Sequence, residues 1–321
     1  MKLNKIRNKN IGSFTEAGIL VILLVFCVII SFVNPVFISG ANLSNLLRTT
    51  SYIIIVACLT TIVMISGGLD LSVGSQIGLG GILVSTLMVH GIPIILAIIL
   101  TLAANSIIGL LNGVIVVKRK LPPMIATMGT MYIARGICNV ITRGMPVYPL
   151  PPAFGMLGNG TFLRITYSAY IAVAVALVMD YVLRNTTYGR SIYAIGGNQD
   201  AARLSGIAVD RIKMSAYVFS SLSATFVGII MTSRIESGQV TLGTGREMTI
   251  IAAVVIGGTS TLGGSGTILG TVIGGLLMSV VENSMVLMRI SVYWQSVVIG
   301  IIMIVAVLID VFRKERAGMK V

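Results

Sequence analysis

The stretch ISGGLDLSVGS, residues 65–75, sets one carboxylate, Asp70, between two glycines and a serine, with a long apolar run on either side. A carboxylate there can accept hydrogen bonds from the free N–H groups that open the next helix, with Ser72 assisting. If the preceding helix unwinds at Gly67 and Gly68, the same carboxylate would sit deeper and meet a polyhydroxyl solute. Capping accounts for the pattern by itself, and the two roles are compatible if the break lies beside a pathway. Arg135 and Glu282 also fall well inside apolar runs. An ionised side chain at the bilayer centre costs about 2.5–3.5 kcal/mol on insertion scales, so each is expected to face the protein interior or a water-filled path. Whether they pair with each other is left open by the sequence. Asn112, Asn139 and Asn283 add amides, which donate and accept and so suit hydroxyl-rich solutes, although helix–helix bonds explain any one of them equally well. The candidate pathway residues are therefore Asp70, Ser72, Asn112, Arg135, Asn139, Glu282 and Asn283.

Catalytic and metal chemistry find little support. Cys27, Cys58 and Cys138 lie in apolar runs without metal-ligand spacing, and the single histidine, His90, falls in a predicted outer turn. No metal, cofactor or intramembrane enzyme is expected.

The elements that must position these residues are membrane spans. Only 10% of the 321 residues are charged, against about 25% in a soluble domain, so the chain could not cover its surface in water. The formal charge of +13 is spread in short patches between apolar segments, which is a topology signal and not a nucleic-acid footprint. Roughly 20 helical residues cross about 30 Å of hydrocarbon. Clear spans are predicted at 17–33, 46–66, 93–117, 166–183, 213–232, 265–287 and 293–311, with weaker or interrupted ones at 71–89, 122–142 and 247–259. The first run follows four basic residues as a signal peptide would, but SFVNPVF offers no small-residue cleavage site, so it reads as a retained span. Ten spans put both termini on one side, and sixteen of the 23 Lys and Arg residues, Lys320 among them, fall on that side. The positive-inside rule makes it the cytoplasm. The fold class expected is an all-α polytopic membrane protein, one transmembrane domain over 1–321 with some broken or short helices.

Many of the 36 glycines lie in or beside spans, where small residues let helices approach closely; Gly266, Gly270 and Gly274 keep a four-residue spacing. ISGGLDLSVGSQIGLGGIL and VIGGTSTLGGSGTILGTVIGG echo each other, each with a Gly-Gly turn that falls on the same side.

Four segments occur in order between about residues 40 and 310: ISGGLDLSVGS, MIATMGTMYIARG, YGRSIYAIGGNQDAARLSGI and AAVVIGGTSTLGGSGTILGTVIGG. Together they resemble the membrane permeases of bacterial ATP-binding cassette importers for monosaccharides of the ribose, xylose and galactose type. The autoinducer-2 importer permease is a close alternative. The resemblance implies a non-catalytic subunit of the bacterial cytoplasmic membrane. It would pair with a second permease copy, take its solute from an extracytoplasmic binding protein or lipoprotein, and be driven by a separate cytoplasmic ATPase. It further implies that the loop at about 184–213 contacts the ATPase, through Arg190, Gly196, Gly197, Asn198, Asp200, Ala201, Ala202, Arg203, Ser205 and Gly206. A short helix from Asp200, opened by the GGN turn and closed near Gly206, suits that task because a short helix transmits rigid-body motion where a flexible loop would not. VVENSMVLMRIS is more charged than the Asn-rich stretch common in relatives, which leaves the sugar open. An ion-coupled secondary transporter is the alternative from another class; it would need mid-depth carboxylates, for which only Glu282 and Asp70 qualify.

Overall fold

A computed structural model describes residues 2–316; Lys320, counted above with the cytoplasmic charges, lies outside the described residues. Thirteen α-helices follow in chain order: α1 (Lys2–Val33), α2 (Gly40–Ile65), α3 (Val73–Val89), α4 (Ile94–Val117), α5 (Pro123–Thr142), α6 (Gly155–Asn159), α7 (Tyr167–Asn185), α8 (Thr187–Gly197), α9 (Gln199–Leu204), α10 (Val209–Ile235), α11 (Arg246–Ile256), α12 (Ile268–Leu287) and α13 (Val292–Arg316). Their dominance follows from the solvent, because in hydrocarbon every backbone N–H and C=O must be satisfied within the chain. The described strands are a two-residue pair, β1 (Thr161–Phe162) and β2 (Ile165–Thr166), antiparallel in the loop between α6 and α7.

Eight helices are long and apolar enough to cross a membrane, against the ten spans expected; α3 is a shorter apolar helix of 17 residues, and the segment expected at 247–259 forms the 11-residue α11. The 122–142 segment is a full helix, opened by Pro123 at its first turn, where a missing N–H costs nothing. α2 is the axis of the bundle. In its most apolar window 83% of residues are buried, against 17% in α1, and it touches α7, α8, α10, α11 and α12. A helix enclosed on all sides needs no polar face, and TSYIIIVACLTTIVMI is buried throughout.

The 11 residues of α11 rise only about 16 Å, half a crossing. The turn-rich segment 237–245 precedes it and lies along α3 in the antiparallel sense. A Cβ on Gly238 would lie 2.6 Å from the Ser85 hydroxyl, one on Gly78 2.7 Å from the Leu242 carbonyl, and one on Gly74 2.7 Å from the Gly243 carbonyl. Glycines at 74 and 78 thus seat a segment of turns, a use the expectation of helix–helix packing did not cover. That expectation does describe α12: Cβ atoms on Gly270 and Gly274 would each come within 2.0 Å of a carbonyl of the neighbouring segment, Gly257 and Ala253.

Candidate functional site: a buried break and the platform beneath it

Between α2 and α3 the chain leaves helical geometry at Gly67, whose φ of +75° suits glycine. Asp70 follows, fully buried. Its Oδ1 accepts from the Ser72 backbone N–H at 3.0 Å and from the Ser72 hydroxyl, and its Oδ2 accepts from Ser220 on α10 at 2.9 Å. The Ser72 oxygen in turn accepts from Gln76 Nε2 at 2.7 Å and Asn112 Nδ2 at 2.9 Å, which fills its capacity of one donor and two lone pairs. Asn112 Oδ1 accepts from Thr130 on α5 at 2.7 Å. One network therefore joins the break to α3, α4, α5 and α10. It brings together three sequence candidates, Asp70, Ser72 and Asn112, and adds Gln76, Thr130 and Ser220, which the sequence reading did not single out. Asp70 makes the turn that precedes α3; Ser72 holds the cap position, but its side chain makes no capping bond. Deep burial makes such a network stringent, since a polar group left unpaired there costs about 1–3 kcal/mol.

Below the break lies a platform of two short helices. α8 was not anticipated; Thr186 caps it, accepting from the Gly189 N–H at 3.2 Å. α9 matches the expected short helix. Asn198 caps it, accepting from the Ala201 N–H at 2.9 Å, and Gly206, at φ +82°, stands two residues past its end. Ala202 packs inward with Ile195 and Val209, while Asp200, Arg203 and Ser205 are exposed, as is Arg190 on α8. Leu204, at the tip, is 91% exposed, a large apolar group outside the sequence candidates.

The platform meets both Gly-Gly turns. The Gly264 N–H donates to the Ile65 carbonyl at 2.8 Å, and a Cβ on Gly263 would fall 2.8 Å from Gly67 N, so the two echoing turns lie against each other. Gly196 wedges onto the same spot, where a Cβ would meet the Ile65 carbonyl at 1.8 Å and Gly264 N at 2.4 Å. Tyr193 donates to the Gly266 carbonyl at 2.7 Å. Burial pushes that phenol above its ordinary range, so it stays a donor.

The remaining candidates are separate. Arg135 and Glu282 do not pair. Arg135 donates through Nη1 to the Val240 and Leu242 carbonyls at 2.6 and 3.0 Å, whereas Glu282 accepts from Arg246 and from Thr249, each at 2.8 Å. Arg246, the first residue of α11, is thus held against α12. Asn139 is exposed and donates to the Arg135 carbonyl within its own helix. Asn283 exchanges amide bonds with Asn42 at 3.0 and 2.8 Å.

An α-helical bundle of this length and apolarity, organised around an enclosed, broken helix pair, is a multi-pass membrane protein. A family described as branched-chain amino acid transport system / permease component matches residues 42–307, and the chain belongs to it. It is thus a permease component, a non-catalytic membrane subunit. The ribose import permease RbsC of Bacillus subtilis is 40% identical over 308 residues, 95% of each chain. The galactose/methyl galactoside import permease MglC of Escherichia coli is 36% identical over 94% of this chain and 95% of its own. The L-arabinose permease AraH of Azospirillum brasilense is 33% identical over 95% of this chain and 91% of its own. No solved structure matches.

Proposed function

We propose that this chain is the translocating subunit of an ATP-binding cassette importer that carries a monosaccharide across a bacterial cytoplasmic membrane. It acts as one transmembrane unit, paired with a second permease copy and supplied by an extracytoplasmic binding protein or lipoprotein. A separate ATPase engages residues 184–213, with the exposed side chains of α8 and α9 as the contact. Likeness to permeases named for ribose, galactose and arabinose supports the solute class. The observation that carries the mechanism is Gly196, packed backbone to backbone on the turns at Ile65–Gly67 and Gly263–Gly264. A rigid push on the platform reaches the end of α2 at Ile65 directly and, at Gly264, the loop that joins α11 to α12. Asp70, Ser72 and Asn112 then hold the break together while those segments move, and Arg135, Asn139, Glu282 and Asn283 are the candidates nearest the solute.

The test is reconstitution with the ATPase and binding protein in liposomes, scored by uptake of labelled ribose, arabinose, galactose and autoinducer-2. ATP-dependent entry of a monosaccharide is expected. Preferential entry of autoinducer-2 would replace the solute, and entry on an ion gradient with no ATPase present would replace the mechanism.

A further inference from the structure

Four ionisable residues of alternating sign, Arg135, Glu247, Arg246 and Glu282, lie side by side on α5, α11 and α12. Arg135 stands 12 residues into α5 and Glu282 14 residues into α12, about 18 and 21 Å of rise, well inside a 30 Å core. Glu247 reaches α3 beside Arg135: a Cβ on Gly74 would meet the Glu247 carboxylate and one on Gly78 would meet Arg135 Nη1 at 2.9 Å. Those two glycines are one helical turn apart. Arg246, adjacent in sequence to Glu247, bonds Glu282 at 2.8 Å, with side chains 30% and 16% exposed. Glu247 and Arg135 are also only part-buried.

This cluster is incomplete in hydrogen bonds. Both Arg135 bonds use Nη1, so the donors on Nε and Nη2 have no acceptor among the described residues. The Glu247 carboxylate is met by the backbone of Gly245 and of Glu247 itself but receives no side-chain donor among the described residues. An exposed guanidinium edge and a carboxylate about one turn apart present donors and acceptors to neighbouring hydroxyls of one neutral molecule. Alternating signs leave no net charge, so an ion gains little there, and a neutral polyol is held weakly enough to leave.

We infer that Arg135 and Glu247 form a water-lined sugar contact on the translocation path, with the Arg246–Glu282 pair as its neighbouring wall. The inference rests on the proposed sugar-import function and adds Glu247 and Arg246 to the path. Its test uses the full complex carrying Cys27→Ala, Cys58→Ala and Cys138→Ala, to which Glu247→Cys or, separately, Thr244→Cys is added. Thr244 is exposed on the segment leading to Glu247, so its variant keeps the test independent of the carboxylate. A membrane-impermeant thiosulfonate should modify both cysteines, and the transported sugar should slow modification several-fold while a sugar that is not transported leaves the rate unchanged. Absence of modification at both positions, or modification that no sugar slows in a complex that still imports, overturns the contact. A parent complex that imports no sugar at all removes the function on which it rests.

Discussion

Asp70 is surrounded by donors, the Ser72 N–H and hydroxyl on one oxygen and the Ser220 hydroxyl on the other. Asp70→Asn turns an acceptor into a mixed group facing the Ser220 and Ser72 hydroxyls. It should destabilise the protein by about 1–3 kcal/mol, and Ser220→Ala by about 1 kcal/mol. In a double-mutant cycle followed by thermal melting in detergent, the pair should couple by about 0.5 kcal/mol or more; additive losses would mean that the bond contributes nothing. Gly196 and Gly197 give a sharper contrast. A methyl at 196 strikes the Ile65 carbonyl, whereas one at 197 meets nothing within 4 Å. Gly196→Ala is therefore expected to abolish ATP-driven uptake and Gly197→Ala to leave it near normal, and equal effects would contradict the packing. The aspartate and the glycine pair were both visible in the sequence. The partners Ser220 and Ile65 were not, because they lie 150 and 131 positions away and no local pattern ties them to the break.

Among the elements, α9 offers the cleanest separation of stability from coupling. The Arg203–Asp210 bridge, at 2.6 Å, is largely exposed on both sides, and such pairs contribute about 0–1 kcal/mol. Leu204 is buried by nothing in the chain. Arg203→Ala and Leu204→Ala should thus melt like the parent yet bind the ATPase more weakly, as measured by co-purification and by ATP hydrolysis per sugar moved. Unchanged association in both variants would remove α9 as the contact. The sequence located α9 well because its cap, Asn198, and its stop, Gly206, are local signals. It missed α8, whose TYGRSIYAIGG carries three β-branched residues and three glycines; packing against α2, α7 and α10 overrides that weak propensity.

At the scale of the whole molecule, the distribution of Lys and Arg sets which side each feature is expected to meet. With both termini and the platform on the positively charged side, a cysteine at position 200 should react with an impermeant thiol reagent in inside-out vesicles and not in intact cells. Reaction from outside would invert the topology. Apolar runs made the eight long helices legible, while α3 and α11 are shorter than a full crossing. Hydropathy reports how much apolar chain is present, and 237–245 is short of apolar residues because α3, and not lipid, covers it.

By itself the sequence determined the solvent, the apolar runs that become long helices and the place where the α2–α3 pair breaks. Each of these depends on composition or on neighbours a few residues apart. Tertiary structure alone decided which polar residues meet. It enclosed Asp70 with Ser220, kept Arg135 apart from Glu282, drew Arg246 to the α12 span and pressed Gly196 onto two distant turns. Such pairings depend on how helices rotate and cross in the assembled bundle, which residue type and spacing do not encode.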